Sequence, residues 1–128
     1  MCGIVGQISK RINGFDFKAA ERFTNMLQMD SIRGNDSTGV FGVDSDGKVD
    51  LIKADTNAWR FTQCKQYTDF EHAIYATYKI VIGHNRAATT GKVTADNAHP
   101  FKDGKIVCVH NGTIYNHDEL DSTTEVDS

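Results

Sequence analysis

The sequence predicts an α+β fold in which helices cover antiparallel sheets. Three observations carry that expectation. Between residues 16 and 30 the apolar side chains Ala20, Phe23, Met26, Leu27 and Met29 recur at helical spacing. Asp44-Ser45-Asp46-Gly47 separates two β-rich runs and supplies the Asp-Gly pair that a tight turn needs. The resulting order of strand, helix, hairpin, helix and further strands fits packed layers of sheet and helix.

The first element, Cys2-Gly3-Ile4-Val5-Gly6-Gln7-Ile8, is β-branched and glycine-containing. It reads as a short buried strand approached closely by another backbone, with Cys2 at its beginning. Asp16 is placed to cap the helix over residues 16–30, whose solvent face would carry Lys18, Glu21, Arg22 and Gln28. Residues 39–43 and 49–53 form the two arms of the hairpin. Over residues 65–78, Tyr67, Phe70, Ala73 or Ile74, and Tyr78 recur at intervals of three and four, which predicts a second amphipathic helix. Residues 80–84 and 106–110 follow as buried strands. Pro100 is the one proline, and no repeat, charge block or linker interrupts the chain, so residues 1–128 read as a single domain.

Lys and Arg number 14 against 17 Asp and Glu, a formal charge of -3, which argues against a nucleic-acid binder that relies on a basic field. The apolar runs are far shorter than the roughly 20 residues of a membrane-spanning helix, so no membrane role is expected. Gln7, Ser9, Lys10 and Arg11 interrupt any secretory signal at once. Three cysteines, Cys2, Cys64 and Cys108, cannot all pair within one chain and are read as reduced thiols in the cytoplasm.

Cys2 stands out because removal of Met1 would put a thiol and a free α-amine on one residue. An α-amine with a pKa of roughly 7.7–8.0 is partly neutral near pH 7 and can accept the thiol's proton. If Met1 is retained, that nitrogen is a peptide amide and the base is absent.

Five stretches, in order, then resemble one family. Met1-Cys2-Gly3-Ile4-Val5-Gly6 is similar to the start of the class II glutamine amidotransferases, whose glutaminase domain uses an N-terminal nucleophile. Arg33-Gly34-Asn35-Asp36-Ser37-Thr38-Gly39 and Gly83-His84-Asn85-Arg86-Ala87-Ala88-Thr89 resemble its RG-x-DS-x-G and GH-x-R-x-AT segments. Asn97-Ala98-His99-Pro100-Phe101 is similar to its NAHPF turn, and Val109-His110-Asn111-Gly112-Thr113-Ile114-Tyr115-Asn116 to its HNG-x-I-x-N stretch. Each pattern is weak alone, but five in register cover nearly the whole chain.

The resemblance implies an N-terminal-nucleophile hydrolase fold, two facing antiparallel sheets between helices. It also implies a site in which Cys2 attacks the carboxamide of glutamine or a γ-glutamyl amide. Asn111, by its side-chain amide, and Gly112, by its backbone N–H, would stabilise the oxyanion. Arg86 would hold the substrate α-carboxylate, a task suited to a permanently charged planar fork. Thr89 and His99 would line the substrate pocket, and Arg33 and Asp36 would brace it, or else form a loop ion pair. Asp127 would take the α-amine through an Asp-x-Glu-like segment. A rival register over Thr124-Glu125-Val126 would put Thr123 there instead.

The family's domain is longer than 128 residues, so the fold is expected to lack its C-terminal part and to be completed by self-association or a synthase partner. No cofactor and no metal are expected: the histidines and cysteines show no CxxC or HExxH spacing, and Asp44-Ser45-Asp46-Gly47 lacks the later ligands of a calcium loop. His84 and His110 read as strand-end residues near the site, His72 as a helix residue and Cys108 as a buried small hydrophobe. A catalytically silent regulatory module on the same scaffold is the alternative function, and a thiol redox protein ranks behind both.

Overall fold

A computed structural model describes residues 1–11, 14–89, 91–116 and 119. In chain order it contains β1 (Gly3–Ile8), α1 (Phe17–Asp30), a 3-10 turn (Ser31–Arg33), β2 (Ser37–Asp44), β3 (Val49–Ala54), α2 (Ala58–Phe61), α3 (Lys65–Ala76), β4 (Tyr78–Arg86), β5 (Phe101–Asp103) and β6 (Ile106–Cys108). The α+β class is therefore as expected, with every strand pairing antiparallel. Four strands form one sheet in the order β1-β4-β2-β3, and β5 and β6 pair as a separate two-stranded sheet. Among the described residues no helix is long and apolar enough to cross a membrane.

Each local element has a legible cause. The Asp16 carboxylate accepts from the backbone N–H of Ala19 at 2.8 Å and so starts α1. At the hairpin turn, Asp44 Oδ1 accepts from the N–H groups of both Asp46 and Lys48 at 2.9 Å, while Gly47 takes φ 81°, a left-handed conformation that glycine adopts without strain. Together they set the β2–β3 register that pairs Val43 with Val49.

One face of the four-stranded sheet is covered by α1 and α3. Val40 and Val81 from the sheet pack with Phe23 and Leu27 of α1 and with Tyr67, Phe70 and Ile74 of α3. Gly83 allows this approach, because a Cβ there would lie 2.7 Å from Leu27 Cδ1 and 3.2 Å from Phe23 Cζ. On the opposite face, alternation along β1 leaves Ile4 44% and Ile8 73% exposed, beside β4 partners His84 and Ile80.

The turn that precedes β5 closes over one end of that second face. A Cβ at Gly39 would lie 2.1 Å from His99 O, so the turn seats on bare backbone. Lys53 fastens it by donating from Nζ to Asp96 O at 3.0 Å and to Ala98 O at 2.8 Å, with the ammonium 4.9 Å from the centre of the Phe101 ring.

Four expectations need correction. Residues 106–110 are not a buried strand: β6 ends at Cys108, Ile106 is 71% exposed and Cys108 is exposed, because among the described residues β6 pairs only with the short β5. Tyr78 belongs to β4, not to the preceding helix. The helix stops at Ala76, Thr77 leaves helical geometry at φ -137°, and Tyr78 still reaches the same apolar cluster. Met29 points outward and is 64% exposed, one position past the buried Leu27 stripe. Finally, α2 was not anticipated. It is capped by Asn57, whose Oδ1 accepts from Arg60 N–H at 3.1 Å, and it buries Ala58 and Phe61, with Phe61 edge-on to Tyr67 at 5.5 Å.

Phe23 is fully buried between α1 and the sheet. Phe23→Ala should lower unfolding free energy by about 3–5 kcal/mol, seen as a lower urea midpoint at an unchanged slope.

Candidate active site

The site is assembled where the start of β1 meets the end of β4. Because Gly3 pairs with Asn85, Cys2 falls beside the residues that follow Arg86. Cys2 Sγ accepts from Ala87 N–H at 3.4 Å and lies 3.7 Å from Ala87 O. The backbone N–H of Cys2 donates to Asn111 Oδ1 at 3.2 Å, across 109 residues of sequence. With Met1 in place this nitrogen is a peptide amide, and the half-buried thiol faces the same loop.

Arg33 and Asp36 hold either flank of this junction instead of pairing with each other. Arg33 donates from Nε to Cys2 O at 3.3 Å, and its NH2 lies 2.7 Å from Met1 Sδ. Asp36 accepts from Ala88 N–H at 2.7 Å, and its own N–H donates to Arg86 O at 3.0 Å. Between them Gly34 lies so close to β4 that a Cβ would be 2.5 Å from Asn85 O. Any side chain there would push the Arg33–Asp36 segment off the strand.

Arg86 is 2% exposed, and one guanidinium nitrogen donates to Lys92 O at 3.4 Å, the carbonyl that also accepts from Asn97 Nδ2 at 3.0 Å. Thr89 lies exposed in the loop after β4. His99 is only 3% exposed, with its ring 4.2 Å from that of His84 and 4.5 Å from that of Phe101. Asn111 and Gly112 lie in an exposed segment after β6, where a Cβ on Gly112 would sit 2.6 Å from His110 Nε2. Asp127, and the rival Thr123, lie outside the described residues. The structure thus brings Cys2, Arg33, Asp36, Arg86 and Asn111 to one junction.

Sequence reasoning passed over Asn85, Thr38 and Asp30. Asn85 is fully buried: its Oδ1 accepts from Thr38 Oγ1 at 3.0 Å, and its Nδ2 donates to Leu27 O at 2.8 Å and Asp30 Oδ2 at 3.1 Å. The available signal was a polar run, His84-Asn85-Arg86, closing a strand whose earlier residues are apolar; such a run inside a central strand must find partners.

Below the junction His84, His99 and His110 gather. Burial is the main cause that holds the His84 imidazole below its ordinary pKa of 6.5, reinforced by Arg86 and His110 and opposed by the bond to His110 O and by Asp30. Burial also drives His99 down to about 3, with His84, His110, Arg86 and Lys53 adding to the effect. Both rings are therefore neutral at pH 7. Among the described residues no group of three or more His, Cys, Asp or Glu is placed to hold a metal ion. The chemistry within reach is that of a half-buried thiol that accepts from one amide N–H, at the end of the strand that carries a buried guanidinium.

No protein-family profile matches the chain. Individual relatives do. Over 122 residues, 94% of the chain, it is 37% identical to the glutamine–fructose-6-phosphate aminotransferase (isomerizing) of Sulfolobus acidocaldarius and 38% identical to that of Sulfurisphaera tokodaii. The enzyme of the same name from Vibrio cholerae is 36% identical over 120 residues. The chain spans only 18–19% of the length of these relatives. A solved complex of a beta-clamp processivity factor with the little finger domain of PolIV aligns with 72% of this chain and 93% of that one, at TM-score 0.47 and 12% identity, too slight a likeness to bear on the fold.

His99 makes stability depend on pH in a defined sense. Its folded value of about 3 lies below the ordinary 6.5, so as pH falls the unfolded chain binds the proton first. This contribution is harmless above 6.5 and grows as pH drops from there towards 3. Urea unfolding at pH 7 and pH 4.5 should show His99→Leu losing about 1–2 kcal/mol less than the parent between the two conditions, each protein measured against its own pH 7 value.

Proposed function

We propose that this chain, a relative of the class II glutamine amidotransferases, carries out the glutamine-hydrolysing half-reaction with Cys2 as nucleophile, on an N-terminal-nucleophile hydrolase fold. The observation that supports this most directly is the contact between Cys2 N and Asn111 Oδ1 at 3.2 Å. It sets the atom that becomes the α-amine, once Met1 is removed, against the residue whose amide would receive the developing charge.

In this reading the Cys2 amine takes the thiol proton and Sγ attacks the carboxamide carbon of glutamine or a γ-glutamyl amide. Asn111 Oδ1 is engaged by Cys2 N, which turns its Nδ2 away as a donor to the oxyanion beside the Gly112 N–H. As the C–N bond breaks, the amine returns its proton to the departing nitrogen, leaving a γ-glutamyl thioester and free ammonia or amine. Water then attacks the thioester, its proton passes to the amine, and glutamate leaves as the thiol is restored.

Arg86, anchored at the end of the central strand, would take the substrate α-carboxylate, with Thr89 and the turn around His99 shaping the wall and Asp127 receiving the α-amine. The ammonia passes to water, or to an acceptor held by a synthase portion or partner. The protein works in the cytoplasm, without a cofactor.

The second reading is a silent regulatory module, in which Met1 stays and the nitrogen at Asn111 remains an amide that cannot act as a base. Intact-protein mass spectrometry with 6-diazo-5-oxo-norleucine separates the two. The catalytic reading expects loss of Met1 and one adduct, mapped to Cys2; retained Met1 without adduct selects the silent module. In the processed protein Cys2→Ala should abolish glutamate release while leaving the circular-dichroism spectrum unchanged. Arg86→Lys should raise the KM for glutamine by about 10- to 100-fold, since an ammonium cannot reproduce the bidentate fork.

A further inference from the structure

Three histidines from three different segments gather at one place, and among the described residues four of their ring nitrogens are buried without a hydrogen-bond partner: His84 Nδ1, both nitrogens of His99, and His110 Nδ1. The fifth, His84 Nε2, lies 2.9 Å from His110 O. A carbonyl oxygen only accepts, so the proton of neutral His84 sits on Nε2 and Nδ1 is a bare lone pair. That arrangement is the cheaper one, because a buried N–H with no acceptor costs more than an empty acceptor site.

We infer that His84 is a positioning residue for the segment that presents Asn111 and Gly112, acting through its bond to the carbonyl of the residue immediately before them. This rests on the glutaminase reading above.

The two ends of the bond differ in their surroundings. His84 is fully buried on β4, which is hydrogen-bonded on both sides, by β1 and β2. His110 O belongs to the partly exposed stretch that continues beyond β6. The rigid partner therefore sets the height of the exposed one. His99, packed at 4.2 Å, fixes the His84 ring plane. The His110 ring lies so close to Gly112 that a Cβ there would be 2.6 Å from its Nε2, and it limits where the Gly112 N–H can point. Displacement of an oxyanion donor by about 1 Å is enough to cost roughly 100-fold in rate.

The surroundings disfavour a charged His84, although the Nε2–H donor to His110 O is present in either protonation state. Protonation would add an N–H at Nδ1 with no acceptor and place a cation among His99 from the turn before β5, His110 after β6 and Arg86 on its own strand. Asp30 at the end of α1 is the opposing charge, and Lys53 of β3 bears on the same cluster through His99.

The test uses the full chain with Met1 removed. His84→Ala should lower kcat by about 10- to 100-fold with KM for glutamine held within roughly threefold, and with the rate of Cys2 alkylation by iodoacetamide unchanged. His84→Gln keeps an N–H donor and should recover most of that loss; His72→Gln, on the exposed side of α3, should behave as the parent. A kcat for His84→Ala within twofold of the parent, a loss confined to KM, or a His84→Gln variant as impaired as His84→Ala overturns the assignment.

Nitrogen-15 spectra of the unsubstituted protein give a second measurement that does not depend on folding of the variants. At pH 8 the neutral His84 ring should be the Nε2–H tautomer, and an Nδ1–H tautomer overturns the proposal. A parent protein that releases no glutamate and takes no glutamine-analogue adduct overturns the glutaminase reading and this inference together. An active parent with an indifferent His84→Ala overturns this inference alone.

Discussion

The side-chain amide of Asn85 is the constraint on which the rest of the site depends. It uses both ends at once: the oxygen takes the Thr38 hydroxyl from β2, and the nitrogen reaches Leu27 O and Asp30 at the end of α1. A fully buried amide left unpaired would cost about 1–3 kcal/mol per group, so these three elements are held in one arrangement. The candidate site is built around it: Gly3 pairs with Asn85 and delivers Cys2, Arg86 is the next residue along, and a Cβ at Gly34 would touch Asn85 O. Asp30 lies so near Gly3 that a Cβ there would overlap the carboxylate, which ties the helix end to the strand that bears the thiol.

The sheet divides its labour between two faces. Towards α1 and α3 the residues Val40 and Val81 are fully buried in an aromatic-rich core. Towards the other side the alternation of β4 produces Ile80, Ile82 and His84, so an apolar surface runs into a polar corner. That corner is where the turn bearing His99 folds down, fastened by Lys53. Stability is thus concentrated on one face, while the candidate site occupies the end of the other, where groups that are costly to bury are held by strand geometry.

Much of this was legible beforehand, and what was not has physical causes. The Asp16 cap, the Asp-Gly turn and the stripe of Phe23 and Leu27 are local signals that no tertiary contact overrides. Tyr78 misled because a residue four positions after Ile74 faces the same core whether it ends a helix or begins a strand. Ile106, Val107 and Cys108 look like a buried strand by composition, yet burial depends on how many strands flank them, which no local pattern encodes. A helix of four residues such as α2 is shorter than the period that would reveal it. For the candidate site, the motif resemblance pointed to Cys2, Arg86 and Asn111, which the fold brings together. It did not reveal that Arg86 and His99 are buried, or that Asn85 knits the strands, because those properties arise from contacts between distant segments.

The edge position of β1 has a consequence for how the molecule comes into being. The hairpin of β2 and β3 closes over a short turn, whereas among the described residues β1 has a single partner, β4, and Gly3 must wait for Asn85. Such long-range closure is entropically costly and slow compared with hairpin and helix formation. The end of the chain that bears Cys2 is therefore expected to be enclosed after the local elements, and until then its thiol is open to oxidants and to other thiols. Reducing conditions should thus matter most for the chain before β1 joins β4.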